Sequence, residues 1–169
     1  MGNYNFSLDL PVGELGEKVL ETYFVDTYKA KFVAKSEGSE LKFWDIKFNF
    51  PSTGDVTYEV KTDVYVVPPR RLPNGLYAMG NDTGNIFIEF ESRGKNTGIN
   101  VTKADWWTYI FYYLNEIWFI KVEDLKQLIE ENDFKQTTQS GDEGSNTRGY
   151  LIPREQFREK FLVKKFGIS

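Results

Sequence analysis

Acidic side chains and a lysine alternate along two segments that the sequence predicts to be the strands of one β-hairpin. Asp45 lies in the first segment, Glu59 and Lys61 lie in the second, and the turn-forming residues 51–55 separate them. Because strand side chains alternate between two faces, we expect the three residues on one face of the hairpin. Carboxylate oxygens are ligands that Mg²⁺ prefers, and an ammonium group can point at a phosphate oxygen. The pattern therefore indicates a divalent-cation site.

The centre of the turn determines which residues of the hairpin face each other. A fold about Thr53 places Asp45 opposite Lys61, and it also places Lys47 opposite Glu59. Diagonal neighbours have Cβ atoms about 7–8 Å apart, so both carboxylates could reach one Mg²⁺. The other face collects apolar side chains, which we expect to bury against helices and so to fix the register. They are Trp44, Ile46, Phe48, Val56, Tyr58 and Val60.

Composition limits the chemistry that the chain can perform. The 169 residues fit one domain, and a content of 40% hydrophobic and 17% aromatic residues is typical of a folded globular protein. The chain has no cysteine and no histidine, which excludes thiolate sites, histidine-ligated zinc and Ser-His-Asp triads. The formal charge of −4 argues against a basic coat over the whole surface, but it allows a local basic groove.

No segment of the sequence predicts a membrane anchor. A membrane helix needs about 20 apolar residues, and no stretch approaches that length. The first residues have neither the basic region nor the apolar region of a secretory signal. We therefore expect no membrane partner and a cytoplasmic location.

The elements that must position the candidate residues follow from hydrophobic periodicity. Helical spacing predicts helices at 13–25, at 124–131, at 154–164, and after a capping box at Thr102-Lys103-Ala104-Asp105. Alternation predicts strands at 29–34, 41–50, 56–66, 86–91, 117–122 and 149–153. Residues 68–84 form an exposed insertion, and 135–147 are expected to be a mobile loop. The order predicts a single α/β domain with a mixed central β-sheet flanked by helices on both sides.

A known family shares part of this order. The first predicted helix carries Gly13-Glu14-Leu15-Gly16-Glu17, an acidic residue follows on a strand, and the next strand carries Glu59-Val60-Lys61-Thr62. This order resembles the PD-(D/E)xK nuclease superfamily, which includes small Holliday-junction-resolvase-like and restriction-endonuclease-like proteins. The resemblance covers residues 13–62, and Trp44 stands where the family name has proline. It implies a restriction-endonuclease-like fold.

The resemblance also implies roles for individual residues. Asp45 and Glu59 would hold Mg²⁺, with Mn²⁺ as a substitute, and Glu17 would add a third ligand. Lys61 would position or activate the attacking water. The implied activity is Mg²⁺-dependent hydrolysis of phosphodiester bonds in DNA, in a repair, recombination, phage or mobile-element setting. The oligomeric state stays open, although a two-fold homodimer would let such an enzyme reach both strands.

Other interpretations of the same acidic residues stay open. Glu14 or Glu21 could replace Glu17, and Asp45-Ile46-Lys47 could be the acid-x-Lys unit with Asp26 as its upstream acid. The opposed charges of the hairpin could also be ion pairs on a wet sheet face, each contributing about 0.2–1 kcal/mol. In that case the chain would be a non-catalytic module that binds nucleic acid or protein.

Basic residues on loops are candidates for contact with DNA. Arg93, Lys95 and Lys103 flank a glycine-bearing loop next to the predicted start of a helix, where phosphates are readily bound. Arg70 and Arg71 lie on the insertion. Random surface charge explains these five residues almost as well.

Three further features are ambiguous from the sequence. Glu89 and Glu91 share one face of their strand, and they either line a cleft or pair with basic neighbours. Trp106 and Trp107 are expected to serve the core and an interface rather than to stack on bases. Asp105 is interpreted as a helix-capping residue.

Overall fold

Two helices and twelve strands make up the part of the chain that the computed structural model describes, residues 11–140 and 146–167. The helices are α1 (Val12–Tyr28) and α2 (Val122–Glu131). The strands are β1 (Lys31–Lys35), β2 (Ile46–Phe50), β3 (Gly54–Asp63), β4 (Arg70–Arg71), β5 (Tyr77–Ala78), β6 (Asn85–Ser92), β7 (Lys95–Asn96), β8 (Trp106–Phe111), β9 (Glu116–Lys121), β10 (Gln136–Ser140), β11 (Asn146–Pro153) and β12 (Leu162–Lys165).

The central sheet is mixed, as the sequence predicts. Its six strands lie in the order β1-β2-β3-β8-β9-β12, and only the β3–β8 pair is parallel. A second sheet has the order β10-β11-β6-β7, and β4 pairs with β5 in a small separate hairpin. The mixed α/β class is therefore confirmed, with a second sheet that the sequence reasoning did not predict.

Each face of the central sheet buries a separate apolar core. On one face, Ile46, Phe48 and Tyr58 pack against the apolar stripe of α1. On the other face, Trp107 and Trp118 pack against α2 and the second sheet. The sheet is therefore covered by one helix on one side, and by the other helix together with strands on the other side.

Helix α1 approaches the central sheet closely at one glycine. A Cβ atom added at Gly16 would overlap the Thr62 hydroxyl of β3, whereas one added at Gly13 would meet no atom within 4 Å. The second glycine of the Gly13–Glu17 run therefore has a packing role, because it lets the helix backbone lie against β3. The helix ends at Tyr28 because Lys29 adopts a left-handed backbone (φ 55°), after which the Lys29 N–H donates to the Val25 carbonyl and the Ala30 N–H to the Phe24 carbonyl.

The β2–β3 hairpin forms where it is predicted, but its register differs by two residues. Lys47 faces Thr57 and Phe50 faces Gly54, so the turn is centred on Ser52 rather than on Thr53. The cause is Gly54, whose positive φ of 80° closes a three-residue loop with a glycine in the left-handed region. The predicted oppositions of Asp45 with Lys61 and of Lys47 with Glu59 are therefore wrong.

The apolar face of the hairpin is confirmed except at its first residue. Ile46, Phe48 and Tyr58 are buried in the core under α1, and Val56 and Val60 pack against it. Trp44 precedes β2 and lies instead in the core on the opposite side.

The helix predicted after Thr102 is wrong, because residues 106–111 form strand β8. Residues 107–111 are buried, so apolar side chains occupy both faces of the strand. A continuous apolar run fits helical spacing as well as strand spacing, which explains the error. Asp105 caps no helix; its carboxylate accepts hydrogen bonds from the Thr57 N–H (2.8 Å) and hydroxyl (3.1 Å).

Two predictions near the C-terminus are also wrong. Residues 154–164 form a short 3-10 turn and then β12, rather than a basic helix. Residues 136–140 and 146–147 belong to strands rather than to a mobile loop, and residues 141–145 of that predicted loop lie outside the described residues. The strands predicted at 86–91 and 117–122 and the helix at 124–131 are confirmed to within two residues.

An ion pair between a buried arginine and an exposed aspartate fixes the base of the insertion. Arg154 is 5% exposed and forms two hydrogen bonds with Asp82, at 3.1 and 2.5 Å. Its guanidinium carbon lies 4.6 Å from the centre of the Phe111 ring. Val67 and Asn81 close the insertion through two backbone hydrogen bonds of 2.8 Å. The β4–β5 hairpin thus projects from an anchored β-bridge between Val67 and Asn81.

Within residues 11–140 and 146–167, neither helix combines the length and the apolar character needed to cross a lipid bilayer.

Substitution of Gly16 tests the contact between α1 and β3. We expect Gly16→Ala to lower the free energy of unfolding by about 1–3 kcal/mol, because the added methyl group overlaps Thr62. Gly13→Ala is the matched control and should change stability by about 1 kcal/mol or less. Urea unfolding measures both, and Thr62→Ala should recover part of the loss in the double variant. Equal stability of the two single variants would contradict the close approach.

Candidate acid–lysine site

Strand β3 presents Glu59 and Lys61 on the face of the sheet opposite to α1. Tyr58 and Val60, which alternate with them, pack toward α1. The parallel neighbour β8 places Trp107 beside Glu59, and the ammonium group of Lys61 lies 5.7 Å from the centre of the Trp107 ring. The two charged residues therefore lie at the border of the core between the sheets.

Asp45 immediately precedes β2, and its side chain reaches this site. Its N–H donates to the Tyr58 carbonyl at 2.9 Å, and its side-chain Oδ2 accepts from the Val60 N–H at 2.7 Å. The carboxylate thus binds the backbone of β3 between Glu59 and Lys61. Asp45, Glu59 and Lys61 are brought together, although not by the predicted register.

The carboxylate of Glu59 is held from two sides. Lys61 Nζ lies 3.0 Å from Oε1, and the Thr102 hydroxyl donates to Oε2 at 3.4 Å. The Glu59 side chain is 8% exposed, whereas that of Lys61 is 34% exposed. The same hydroxyl donates to the Phe43 carbonyl at 3.0 Å, so its single proton is shared between Glu59 and the loop before β2 and ties that loop to the site. We call Asp45, Glu59, Lys61 and Thr102 the acid–lysine site.

Burial and charge act on the two ionisable groups of β3 in opposite directions. Burial raises the pKa of Glu59 above its ordinary value, and the negative charge of Asp45 adds to this, against the lowering effect of Lys61. For Lys61, burial alone would lower the pKa, but the charges of Glu59, Asp45 and Glu89 outweigh it and the pKa is raised. Lys61 therefore stays a cation at neutral pH.

Glu17 lies on α1, which covers the other face of the sheet, and it forms an ion pair with Lys35 of β1 at 2.5 Å. Its alternatives Glu14 and Glu21 are on the same helix, and so is Asp26, the upstream acid of the interpretation that uses Asp45-Ile46-Lys47. In the described part of the chain, no group of three or more acidic side chains is close enough to share an ion. The site therefore offers a carboxylate pair, Asp45 and Glu59, without the predicted helix ligand at hand.

The predicted DNA-contact residues fall in three places. Arg93 and Lys95 are exposed at the β6–β7 turn, and Arg70 and Arg71 are exposed on β4. Lys103 follows Thr102, and its backbone N–H donates to the Phe43 carbonyl at 2.7 Å. Of the five, Lys103 is the one that hydrogen bonds connect to the acid–lysine site.

Sequence reasoning missed Thr102 as a member of the site and left Glu89 undecided. Thr102 reaches Glu59 because β8 pairs with β3, a contact over 43 positions that no local pattern signals. Glu91 pairs with Arg148 at 3.2 Å, as one of the two interpretations held. The negative charge of Glu89 instead contributes to the raised pKa of Lys61.

The chain matches no protein-family model, no curated protein and no solved structure. The resemblance to the PD-(D/E)xK superfamily therefore rests on the motif residues alone and stays a prediction. What the fold and the geometry define is a mixed α/β protein with a buried, lysine-paired carboxylate and a second carboxylate beside it.

The raised pKa of Glu59 predicts a dependence of stability on pH. A carboxyl group whose pKa is raised by folding favours the folded state most below its ordinary pKa, and this contribution is lost as the pH rises through the folded value. The Glu59→Gln variant cannot ionise at this position. Between about pH 4 and pH 7 the free energy of unfolding of the variant should therefore rise relative to that of the wild type. Urea unfolding at both pH values measures the difference.

The exposed residue Glu130 of α2 supplies a control for this experiment, as Glu130→Gln removes a carboxylate that has solvent around it. If the difference between Glu59→Gln and the wild type is constant with pH, the attraction of Lys61 balances the cost of burial; if the variant loses stability relative to the wild type as the pH rises, the attraction exceeds that cost. Either result would contradict the prediction.

Proposed function

We propose that the protein is a Mg²⁺-dependent nuclease that hydrolyses phosphodiester bonds in DNA. The observation that carries the proposal is the convergence of Asp45, Glu59 and Lys61 on β3, with the Glu59 carboxylate held at 3.0 Å from the Lys61 ammonium. The motif resemblance supplies the reaction class, and the geometry supplies a set of groups that suits it.

The donor set fits a divalent cation bound by two carboxylates. Mg²⁺ is commonly held in proteins by one or two carboxylates together with water and substrate phosphate. Glu59 and Asp45 are two acidic groups in a partly buried place, the ammonium group of Lys61 is paired with Glu59, and burial raises the pKa of Glu59 despite that pairing. Asp45 and Glu59 would hold the ion, with Mn²⁺ as a substitute. Glu17 would assist only after leaving Lys35.

When bound, the cation would lower the pKa of water and neutralise charge that develops on the phosphate. The other functions belong to the side chains of the protein. Lys61 stays protonated, so its ammonium group serves to bind a phosphate oxygen and to hold Glu59 in place. Thr102 fixes the second oxygen of Glu59. No histidine is needed, which agrees with its absence from the sequence.

The finer features of the resemblance belong to the same proposal. They are a restriction-endonuclease-like architecture of the α1–β3 region, a role in repair, recombination or a mobile element, and a homodimer that reaches both DNA strands. The α1, β1, β2 and β3 order agrees with the element order on which the resemblance rests.

Loss of single charges should abolish cleavage without unfolding the chain. Asp45→Asn keeps an oxygen that can accept from the Val60 N–H but removes the negative charge. We expect Asp45→Asn and Lys61→Ala each to lower the rate of Mg²⁺-dependent DNA cleavage by about 100-fold or more. A panel of labelled linear, branched and single-stranded DNAs measures the rate with Mg²⁺ and then with Mn²⁺.

The matched controls come from another acid-x-Lys triplet, Asp133-Phe134-Lys135, whose two charged residues are exposed. Asp133→Asn and Lys135→Ala should cleave like the wild type. A cooperative thermal transition in all four variants would show that they are folded. Full residual cleavage by Lys61→Ala would refute the proposed role of the site.

A specific observation favours the second candidate, a non-catalytic binding module. Both oxygens of Glu59 have partners within the chain, and Asp45 binds the backbone of β3. A site of this kind can be a completed structural network that needs no ion.

Metal titration separates the two candidates. A nuclease should bind Mg²⁺ or Mn²⁺ in calorimetry, and the binding heat should disappear in Asp45→Asn and Glu59→Gln. The exposed-carboxylate variant Asp133→Asn should bind like the wild type. Metal binding that is absent, or that is equal in all four proteins, would favour the non-catalytic module.

A further inference from the structure

Three lysines without an ion-pair partner among the described residues lie around the acid–lysine site. They are Lys42 and Lys47, which the sequence reasoning did not assign to binding, and Lys103. Among the described residues, none of the three forms an ion pair, whereas Lys61 is paired with Glu59. We infer that these lysines form a binding surface for the phosphate backbone of duplex DNA, beside the acid–lysine site. The inference rests on the proposed function for its choice of polyanion.

Aromatic rings lie beneath the three ammonium groups. Lys42 Nζ lies 5.0 Å and Lys103 Nζ 4.1 Å from the centre of the Phe43 ring, and Lys47 Nζ lies 4.9 Å from the Trp44 ring. A cation over an aromatic face is attracted by the ring, which limits the places that a long side chain can visit. We call these three lysines with Phe43 and Trp44 the lysine rim.

Hydrogen bonds hold part of the lysine rim, Phe43 and Lys103, next to Glu59. The Phe43 carbonyl accepts from the Lys103 N–H at 2.7 Å and from the Thr102 hydroxyl at 3.0 Å. The same hydroxyl lies 3.4 Å from Glu59 Oε2. Trp44 immediately precedes Asp45, and Lys47 follows Asp45 by two positions. The rim is therefore connected to both carboxylates through one or two residues.

The lysine rim supplies positive charge locally although the whole chain is acidic. The formal net charge is −4, but the rim adds three unpaired cations next to the acid–lysine site. Carboxylates of Glu37 and Glu40 line a cavity with Lys47, yet they form no ion pair with it in the described residues. Lysine ammonium groups bind phosphates as point charges, and they release counterions from DNA when they do so.

Counterion release gives the inference a quantitative test. The triple variant Lys42→Gln, Lys47→Gln, Lys103→Gln should bind a labelled DNA duplex more weakly. The slope of log Kd against log salt concentration should fall by about 2.7, since each phosphate contact on duplex DNA contributes about 0.9. Fluorescence anisotropy with EDTA present measures the slope without cleavage.

The control variant carries the same change in charge elsewhere. Lys18, Lys160 and Lys164 are exposed on α1, on the turn before β12 and on β12. The triple change of these lysines to glutamine should leave the slope close to that of the wild type. A slope that falls equally in both triple variants would mean that total charge decides binding, and it would overturn the rim. No measurable duplex binding at low salt would overturn it as well.

The experiment separates this inference from the proposed nuclease activity. If the wild type binds DNA with the expected slope but does not cleave it with Mg²⁺ or Mn²⁺, the rim stands and the nuclease proposal fails. If the wild type cleaves and the rim variant keeps the full slope, the nuclease proposal stands and the rim is wrong.

Discussion

Removal of the Glu59 carboxylate from water is the constraint on which the candidate site depends. A buried charge is costly unless hydrogen bonds and an opposite charge compensate it, and Glu59 obtains both from Lys61 and Thr102. Lys61 comes from the same strand, two positions away. Thr102 comes from the segment before β8, and it is in place because β3 and β8 pair in parallel. The crossover connection between these two strands is thus a condition for the site.

The connection between β3 and β8 is long, and it contains the insertion, β6 and β7. Parallel neighbours need a crossover, and here the connecting chain builds part of the second sheet instead of a simple helix. Ile86 and Ile88 of β6 then cover the face of β8 that carries Trp107. The same excursion therefore closes the core beneath Lys61 and delivers Glu89 to its vicinity.

Local patterns in the sequence predicted those elements that have one apolar face. Buried and solvated positions recur at regular spacing along α1, α2 and the β2–β3 hairpin. The spacing of a few side chains therefore shows whether each segment is a helix or a strand. Strand β8 is buried on both faces, and its pattern lacks the polar positions that distinguish a strand from a helix. The sequence of the segment after Arg154 is typical of a basic helix, but β12 is held as an edge strand by pairing with β9, which is a tertiary effect.

The membership of Asp45, Glu59 and Lys61 in one site was predictable from the sequence. The register of the hairpin was not, because it depends on the left-handed conformation of Gly54. The role of Thr102 was not predictable either, because it depends on a strand pairing between distant parts of the chain.

The anchored base of the insertion makes the β4–β5 hairpin structurally independent of the core. The Val67–Asn81 bridge and the Asp82–Arg154 ion pair lie at the base of the hairpin. Residues 68–80 therefore contribute few contacts on which β3 and β6 depend. Large apolar side chains such as Tyr77 and Met79, which are 64% and 89% exposed, can be exchanged there without a cavity forming in either core. The fold can therefore accept a hairpin of different length or sequence at this position. A protein engineer could use the Val67–Asn81 bridge as a grafting point.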